Sequence, residues 1–482
     1  MELMLGDVPW IVMLIILPLM GGMACFLFPA ISTALGLLTS LTIFTCVAGL
    51  SWQLQDAGAQ RYAMGGWGAP LGIDLYADGL SLLMLVMTAL VGLGISVYSS
   101  RYFSRDKANH FWPLWLFLWA ALNALFLSAD IFNLYVTLEL LGLAAVALVA
   151  LAGGAQALTS AMRYLLVSLL GSLFYLLGVA LLYHSFGSLD IAILAQRVEP
   201  SPAVWVAVGL ISTGLLLKTA LFPLHFWLPP AHASAPAPVS ALMSALVVKA
   251  SFYILLRMWL EIFPIVGASF AQLLGLLGAA AVLWGGIQAL RQTRLKLLIA
   301  YSTVSQLGYL FLAFPLGTSL AWQGALYMLL SHAMAKAALF MAAGNIQAVA
   351  GHDRIAELDP ITQHLPLTLT AFSLAGISIM GLPPSGGFIA KWLLLQASIQ
   401  SGQWWWAIIL ILGGLLAAAY VFKVIGHVFT HDQPMSEAKE VPATMEWTAL
   451  VLALIAVLLG LFTSWPLAMM EIGSPFGGGY SG

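Results

Sequence analysis

Charged side chains are rare in this chain of 482 residues. Asp, Glu, Lys and Arg together make up 7% of it, against about 25% in a typical soluble domain. Hydrophobic residues make up 62%, so the chain could not keep a soluble surface hydrated, and the lipid bilayer is predicted to be its solvent. The formal net charge is −2 and no basic cluster is present, which argues against a nucleic-acid partner.

Cysteines and phosphate-binding loops are also scarce. Cys25 and Cys46 are the only cysteines and lie in separate apolar segments, too few for a thiolate metal site or an iron–sulfur cluster, and no disulfide is expected. No glycine-rich loop of the P-loop or dinucleotide type occurs. The sequence therefore predicts no cofactor, no metal, and no redox or hydrolytic site in this chain.

Long apolar runs, by contrast, are abundant. A membrane helix needs about 20 apolar residues, and by that measure fourteen spans are predicted. They cover residues 9–29, 31–53, 74–98, 111–127, 129–152, 162–186, 204–225, 237–261, 268–290, 295–315, 321–348, 367–399, 403–430 and 446–468. Glu2 and Asp7 precede the first run in place of the basic segment of a cleaved signal peptide, so that run is expected to stay as a helix. The predicted class is an all-α polytopic membrane protein with about 14 transmembrane helices.

The distribution of basic residues predicts the orientation in the membrane. Loops after odd-numbered spans hold Arg101, Arg105, Lys107, Arg291, Arg294, Lys296, Arg354 and Lys439, with Arg163 just inside the following span. Loops after even-numbered spans hold little beyond Arg61 and Arg197, with Arg257 near a helix end. By the positive-inside rule the odd loops face the cytoplasm, and both termini lie on the outer face.

Two of the spans contain proline-rich breaks beside a lysine. Span 7 reads LLLKTALFPLHFWLPPAHASAPAPVSA and carries Lys218; span 12 reads GISIMGLPPSGGFIAKWLLL and carries Lys391. Broken membrane helices at corresponding places in two halves of a chain indicate a transport pathway. Because the breaks are five spans apart, the halves would insert with opposite orientation. The predicted organisation is therefore spans 1–3 (1–110), a first inverted repeat of spans 4–8 (111–261), a second of spans 9–13 (268–430), and a C-terminal helix and tail (431–482).

Ionisable residues inside the spans form the candidate functional site. They are Glu139, Lys218, Lys249, Lys336 and Lys391, with His332 one turn before Lys336 on the same helix face. Each such charge costs roughly 2.5–3.5 kcal/mol at a helix centre on insertion scales. Four amines facing one carboxylate exceed what structural ion pairs explain. Since burial makes a lysine release its proton more readily, the row is predicted to be a proton relay with water between the groups.

Other interpretations of these residues remain open. Glu139 is also compatible with an interhelical hydrogen bond, and Lys218 and Lys391 with side chains that extend to the membrane interface. Lys249 and Lys336 are compatible with neutralising a carbonyl-rich helix end. A lone histidine such as His332 is as often a core residue as a relay.

Residues around the breaks form a second candidate group. Pro223, His225, Pro229, His232, Pro383 and Pro384 are predicted to break or gate the two helices. The two histidines are compatible with metal binding, but no third ligand lies near them in sequence. Lys423 and His427, one turn apart in span 13, predict a possible proton exit or simply a solvated helix end. Asp74, Asp78 and Asp130 are predicted to cap helices, and Trp112 and Trp115 to anchor at the membrane interface.

Three motifs carry a family resemblance. LKTALFPLHFWLPPAHASAPAPVSALMSALVVKAS, SHAMAKAALF and GLPPSGGFIAKW resemble motifs of the proton-translocating antiporter-like subunits shared by respiratory complex I, membrane-bound hydrogenases and Mrp-type Na⁺/H⁺ antiporters. The similarity spans roughly residues 70–430. It implies fourteen helices with two inverted five-helix repeats and broken helices 7 and 12. It also implies a coupled Glu139–Lys218 pair, a connecting Lys249, a His332–Lys336 relay and a terminal Lys391 that exchanges protons with one side.

Subfamily and partners follow from the same resemblance. In its length and in the lysine at position 391, the chain is most similar to the D subunit of Mrp-type antiporters. The smaller complex I or hydrogenase relative is nearly as similar. After Glu139, where the family often has Ser and Tyr, this chain has LGLAAVAL, which leaves fewer polar groups on that helix to hydrate the first half-channel. The implied setting is the bacterial cytoplasmic (inner) membrane, among other integral membrane subunits and lipids, with H⁺ and Na⁺ or another monovalent cation as ions.

Three functions remain open at this point. The first is a proton-translocating subunit of a cation/proton antiporter. The second is a redox-driven pump subunit of an NADH:quinone oxidoreductase or hydrogenase, in which case the chain would be part of an enzyme. The third is a proton-coupled partner in inorganic-carbon uptake. A scaffold without transport is the remaining alternative, and the row of buried charges argues against it.

Overall fold

The computed structural model describes residues 8–358, 365–429 and 440–474. Glu2, Asp7, Lys439 and part of the predicted C-terminal segment 431–482 lie outside these residues. The described chain is almost wholly helical. The helices are α1 (Trp10–Leu27), α2 (Ser32–Ala57), α3 (Gly79–Tyr102), α4 (Arg105–Leu127), α5 (Ile131–Ala150), α6 (Gly154–Phe186), α7 (Ile191–Arg197), α8 (Pro202–Thr219), α9 (Leu228–Ser234), α10 (Ala237–Leu242), α11 (Val248–Glu261), α12 (Ala268–Arg291), α13 (Leu295–Phe311), α14 (Ala313–Leu316), α15 (Ser319–Ala350), α16 (Pro366–Met380), α17 (Gly386–Gln400), α18 (Trp405–Phe429), α19 (Ala443–Leu458) and α20 (Ser464–Met470).

Length and apolar composition qualify most of these helices to cross a membrane. Twelve segments of the described chain are long and apolar enough, and α16 and α19 are shorter apolar helices. The predicted class, an all-α polytopic membrane protein, is confirmed. The total of fourteen spans and the inverted repeat stay predictions.

One predicted span begins differently in the structure. Asp74–Ala77 is a β-strand, β2, which pairs antiparallel with β1 (Gln60–Ala63), so α3 starts only at Gly79. Asp74 was predicted to cap a helix, and this is wrong, because its carboxylate instead accepts a 2.6 Å hydrogen bond from Arg61 of β1. Asp78 and Asp130 do cap α3 and α5.

Polar contacts between loops sort the helix ends into two faces. The first, the hairpin face, joins residues 58–78, 128–130, 187–201 and 472: Leu75 bridges Ser128, Asp130 bridges Asp190, and the Ile472 carbonyl accepts from the Gly79 amide at 2.7 Å. The second, the basic face, joins residues 103–108, 151–153, 291–294 and 351–357. There Lys107 Nζ donates to the Ala152 carbonyl at 3.2 Å, and Arg294 bridges Arg354.

Two helices are interrupted at the predicted prolines. Helix α8 ends at Thr219, Ala220 takes a left-handed conformation (φ 57°), and the chain turns through Phe222–Pro223 to α9. Helix α16 ends at Met380, Gly381 (φ 81°) turns the chain, and α17 follows after Pro383–Pro384. Proline has no amide hydrogen and fixes its backbone angle, so neither helix can continue through these residues. At the first break the Leu217 carbonyl accepts from the Trp227 indole, and at the second the Ile379 and Met380 carbonyls accept from Lys391.

The core surrounds two enclosed helices. The α10–α11 span, joined through a π-helical turn at Met243–Val247, and α15 are buried along their whole membrane segment. Helix α15 packs against α10, α13, α16, α17 and α19. Charges on these two elements therefore have no direct route to the lipid.

Interface anchoring was predicted for Trp112 and Trp115, and this is wrong. Both side chains are fully buried, and their indole N–H groups donate to Thr33 and Ser96. Their positions near the start of α4 suggested an interface, but α1 and α2 cover that helix.

Candidate functional site

Glu139 and Lys218 form an ion pair between α5 and α8. Lys218 Nζ lies 2.9 Å from Glu139 Oε1, and the side chains of Lys218 and Glu139 are 6% and 19% exposed, respectively. Lys218 stands one residue before the end of α8, so the break that follows leaves room around its stem. The pair removes the interface-extending alternative for Lys218, because the amine points to a carboxylate inside the bundle.

Hydroxyl groups from α6 complete the surroundings of this pair. Ser172 donates a hydrogen bond to Glu139 Oε1. A cavity of about 10 Å³ adjoins Lys218 and is lined by Leu138, Leu141, Gly142, Tyr164, Ser168, Val247 and Ser251. This volume is about that of one probe sphere, so the site has room for one water molecule. The polar groups missing from α5 after Glu139 are thus supplied by the neighbouring helix.

Lys249 is fully buried in the middle of the enclosed α10–α11 span. Its Nζ donates to the carbonyls of Ala245 (2.7 Å) and Ser244 (3.3 Å), which the π-helical turn leaves available. Ser244 Oγ is 2.8 Å from Thr303 Oγ1 on α13. Lys249 therefore has backbone rather than acidic partners, and these belong to the π-helical turn inside its own span rather than to a helix end.

Lys336 is equally buried, on α15. Its Nζ donates to the Ile299 carbonyl at 2.9 Å and contacts Ser302 Oγ, both on α13. The Thr303 hydroxyl donates to the same Ile299 carbonyl at 3.1 Å. The path from Lys249 to Lys336 therefore runs through Ser244, which accepts from Lys249 at its carbonyl and contacts Thr303 with its hydroxyl. It ends at the Ile299 carbonyl, which Thr303 and Lys336 share.

His332 occupies the junction of the row. It is 3% exposed, and its Nε2 has no hydrogen-bond partner among the described residues. The charges of Lys249, Lys336 and Lys391 all act on it. His332 lies one turn before Lys336 on the same face of α15, which distinguishes it from an isolated core histidine.

Lys391 lies at the far end of the row, on α17 just past the second break. Its Nζ donates to the carbonyls of Ile379 (2.9 Å) and Met380 (3.0 Å), at the end of α16, and lies 4.8 Å from the ring centre of Tyr309. The carbonyl end of a helix carries partial negative charge and favours a cation. The break thus supplies the acceptors for Lys391.

The break histidines lie in different surroundings. His225 stacks on Phe222, with ring centres 5.6 Å apart. His232 is completely buried and stacks on Phe340 at 4.8 Å, and neither ring nitrogen has a hydrogen-bond partner in the described chain. Within the described residues no three His, Cys, Asp or Glu side chains lie close enough to hold a metal ion. A gating role for Pro223, Pro229, Pro383, Pro384 and the two histidines stays a prediction.

Lys423 contacts the end of a neighbouring helix. Its Nζ donates to the carbonyls of Leu290 (2.9 Å) and Gln292 (2.7 Å), at the C-terminal end of α12 on the basic face. His427 lies one turn further along α18. The exit role of this pair stays a prediction.

A buried charge cluster on the hairpin face was not singled out from the sequence. Arg257 is 2% exposed and donates to Asp78 at 2.8 Å, to Glu261 at 2.6 Å and to the Tyr253 hydroxyl at 2.9 Å. Its spacing of four residues from both Tyr253 and Glu261 was the available signal. This cluster ties the end of α11 to the start of α3.

A second cluster on that face surrounds Arg61. Its guanidinium bridges Asp74 and Asp190, joining the hairpin to the loop before α7. Burial opposes the charge of Arg61, but the hydrogen bonds and charges of Asp74 and Asp190 outweigh it and raise the pKa of the guanidinium. The hairpin is therefore fixed to the bundle by charge as well as by strand pairing.

Comparison with known families identifies the fold. Residues 128–417 match the family model "NADH:quinone oxidoreductase/Mrp antiporter, TM", which is more than half of the chain. Residues 67–112 match "NADH-Ubiquinone oxidoreductase (complex I), chain 5 N-terminus". The chain belongs to the NADH:quinone oxidoreductase/Mrp antiporter family. The resemblance seen in the three sequence motifs is thus confirmed.

Members of both branches of the family are similar over most of their length. The N subunit of NADH-quinone oxidoreductase from Desulforudis audaxviator (strain MP104C) is 37% identical over 479 residues, covering 94% of this chain and 95% of the relative. The D subunit of the Na(+)/H(+) antiporter from Bacillus subtilis (strain 168) is 30% identical over 420 residues, covering 85% and 84%. A chain of the membrane-bound sulfane sulfur reductase, an archaeal respiratory membrane complex, superposes with a TM-score of 0.90 at 27% identity, covering 97% of both chains. The family fold is therefore present in full.

Proposed function

We propose that this chain translocates protons as a membrane subunit of a multi-subunit cation/proton antiporter. The observation that carries the proposal is the 2.9 Å Glu139–Lys218 pair in the same bundle as two further buried amines, Lys249 and Lys336, and the half-buried Lys391. A carboxylate and an amine in contact can exchange one proton, and removing it from either changes the charge felt along the row. Na⁺ or another monovalent cation is the proposed counter-ion, handled by partner subunits, as the name of the B. subtilis relative suggests.

The geometry supports movement of charge in steps. Hydroxyls of Ser244 and Thr303 lie between Lys249 and Lys336, and His332 lies under the influence of Lys249, Lys336 and Lys391. An amine bound to carbonyl or hydroxyl oxygens keeps these acceptors whether or not it carries the extra proton, because the neutral amine still has two N–H donors. Each of these lysines is therefore suited to gain and lose a proton without rearrangement of its helix.

The proposed setting is a bacterial cytoplasmic membrane. The basic face gathers Arg105, Lys107, Arg291, Arg294 and Arg354, and by the positive-inside rule it faces the cytoplasm. The hairpin face then faces outward, together with both termini. Lipid and other integral membrane subunits cover the exposed apolar sides of α5 and α6.

A second candidate is a proton-pumping subunit of a complex I-like NADH:quinone oxidoreductase. The specific observation in its favour is the greater identity to the oxidoreductase relative, 37% over 94% of this chain, than to the antiporter relative, 30% over 85%. Both functions use the same relay and differ in the partner that drives it. The source of energy, rather than the relay itself, separates the two candidates.

The test uses the assembled complex in sealed vesicles. Lys218→Ala and Glu139→Ala are expected to abolish proton movement while the complex keeps its subunit composition, because either change removes half of the pair. Lys107→Ala, an exposed amine on the basic face, is the matched control and should transport as the wild type does. Undiminished exchange in Lys218→Ala would refute the proposal. A pH change driven by a Na⁺ gradient supports the antiporter, and one driven only by NADH and quinone supports the pump.

A further inference from the structure

A cleft opens on the basic face beside the start of α13. It has a volume of about 470 Å³ and is lined by Thr293, Arg294, His352, Asp353, Arg354, Ala356 and Glu357. Two of its ion pairs, Arg354–Glu357 and His352–Glu357, lie at the exposed rim. Asp353 is different, because it lies at the buried side of the cleft.

Asp353 has one carboxylate oxygen in use and one free. Oδ1 accepts from Arg294 Nε at 2.9 Å, whereas Oδ2 is buried and has no hydrogen-bond partner in the described part of the chain. The Asp353 carbonyl accepts from the Leu295 amide at 2.7 Å, which fixes the carboxylate next to the first turn of α13. A buried carboxylate oxygen without a protein partner is costly unless another group binds there during function.

Lys296 is the next ionisable group inward. It is 3% exposed although it stands at the second position of α13, and its Nζ donates to the Ala235 carbonyl just past the end of α9. The charge of Asp353 acts on it. In the sequence analysis, Lys296 counted only as one of the basic loop residues that predict the orientation in the membrane. The structure instead buries it between the cleft and the first helix break.

His232 lies on α9, three residues before Ala235, whose carbonyl accepts from Lys296. Its ring is completely buried, both nitrogens lack partners among the described residues, and the charges of Lys296 and Lys336 both act on it. It stacks on Phe340, one helical turn beyond Lys336. An imidazole with both nitrogens free can accept a proton at one and release it at the other.

We propose that Asp353, Lys296 and His232 form a branch that carries protons between the basic-face cleft and Lys336. The branch rests on the proposed function and adds to it a specific port on one side of the membrane. Protonated Lys296 gives a proton to one nitrogen of His232, and the other nitrogen of His232 releases a proton to a neutral Lys336. Lys296 then takes a replacement proton from Asp353 Oδ2, which regains one from the cleft, so that each group of the branch ends with the number of protons it began with. Lys391, beside the second break, thus lies at one end of the row. The branch joins the row at Lys336, in its middle.

The decisive experiment separates a relay from a structural hydrogen bond at Lys296. Wild type, Lys296→Met, Lys296→Arg and the exposed same-face control Arg291→Met are compared for cation- or redox-driven proton movement in vesicles with the assembled complex. Lys296→Met is expected to reduce the rate by about 100-fold, in the range typical for loss of a positioned proton-transfer group. Lys296→Arg should be equally slow, because a guanidinium can donate to the Ala235 carbonyl but keeps its proton. Arg291→Met should match the wild type.

The same set distinguishes failure of the branch from failure of the proposed function. Wild-type rates in Lys296→Arg, with Lys218→Ala inactive, would overturn the branch and leave the relay intact. Full activity in Lys218→Ala would overturn the proposed function itself. As a second measurement, Asp353→Cys is modified with a bulky membrane-impermeant thiol reagent added from the basic face. The branch predicts that modification stops the residual exchange of this variant, and unchanged exchange after complete modification would contradict it.

Discussion

At the scale of single residues, the amines of the row differ in the groups to which they donate hydrogen bonds. Lys218 contacts a carboxylate, whereas Lys249, Lys336 and Lys391 donate to backbone carbonyls. The excess of amines over acids in the sequence is therefore balanced by dipoles of the main chain. These amines differ accordingly in what a substitution would remove.

Lys391→Glu is expected to impair transport without abolishing it. A protonated glutamic acid can still donate to the Ile379 carbonyl, but its ionised form would face two carbonyls and lose the contact with the Tyr309 ring. Lys391→Gln is the matched control, because it donates to the same carbonyls but cannot titrate. Proton exchange in vesicles should rank wild type, then Glu, then Gln near zero; equal rates for Glu and Gln would contradict a titrating role.

Arg257→Ala is expected to lower the free energy of unfolding by about 3–5 kcal/mol, the usual effect of removing one partner of a buried ion pair. The change leaves Asp78, 1% exposed, without its cation. Arg354→Ala is the control, since Arg354 and Glu357 are 68% and 50% exposed and such pairs contribute at most about 1 kcal/mol. Denaturant titration of each variant in detergent measures its free energy of unfolding. Equal losses would show that the Arg257 cluster is not structural.

Sequence reasoning found the ionisable residues of the spans but not their partners. Glu139 and Lys218 were identifiable because charge is rare in apolar runs. The carbonyl acceptors were not, because every residue has a carbonyl and only the three-dimensional path of the breaks shows which ones are free. Lys296 was missed for a related reason: two residues after Arg294, it reads as one more interface charge, and only the packing of α9 against α13 buries it.

At the scale of elements, the break after α16 positions Lys391. Gly381 has φ 81°, and a Cβ there would lie 2.6 Å from Cδ of Lys391 and 3.3 Å from its Nζ. Gly187, the C-cap residue of α6, has φ 66°, but no atom lies within 4 Å of a Cβ added there. The two glycines thus share the backbone strain of a substitution and differ in the contact with the lysine.

Gly381→Ala is therefore expected to slow proton exchange as well as to destabilise the fold. Gly187→Ala should cost about 1–2 kcal/mol of stability, the penalty for a side chain in the left-handed region, and leave exchange unchanged. Parallel measurement of thermal unfolding and vesicle transport separates the two effects. Equal exchange rates in both variants would show that the position of Lys391 tolerates displacement.

The N-terminus of α5 offers a prediction about pH. Burial, with the nearby charge of Asp190, raises the pKa of the Asp130 carboxyl above its ordinary 3.8, against the hydrogen bonds it accepts from Phe132 and Asn133. A raised pKa in the folded state means that folding loses stability as pH rises through the interval above 3.8. Asp130→Asn keeps the cap and removes this loss. The variant should equal the wild type in unfolding free energy below that interval and exceed it above; the reverse order would contradict the assignment.

Element boundaries were predictable where proline or glycine ends a helix and less so elsewhere. The breaks near Pro223 and Pro383 follow from residue chemistry alone. The start of α3 did not, because DLYA is short, apolar in part and continuous with the following run, and only its pairing with QRYA makes it a strand. The gain of polar groups near Glu139 from α6 is likewise a result of packing between helices.

At the scale of the whole molecule, charge is divided between the two faces. The hairpin face holds Asp74, Asp78, Asp130, Asp190 and Glu261 beside Arg61, Arg197 and Arg257, and the basic face holds Arg105, Lys107, Arg291, Arg294 and Arg354. Such an asymmetry predicts one orientation in the membrane. The general class was predictable from composition, whereas the assignment of loops to faces needed the contacts between them.

Cysteine labelling tests this orientation. Arg197→Cys on the hairpin face is expected to react with an impermeant maleimide in intact cells, and Arg105→Cys on the basic face only after the membrane is permeabilised. The native Cys25 and Cys46 are buried and give a low background. The opposite pattern would invert the proposed topology and move the port at Asp353 to the outside.

The carbonyl partners of the central amines have a consequence for heredity. A main-chain acceptor persists whatever side chain its residue carries, so no missense change at Ala245, Ile299 or Ile379 deletes it. Lys249, Lys336 and Lys391 can therefore be lost by mutation, but the carbonyl acceptor of each remains, because the backbone supplies it. Revertants of such losses should arise by regaining a titratable group at the same position. After loss of Lys218, by contrast, a substitution at a second site can supply a new partner for Glu139.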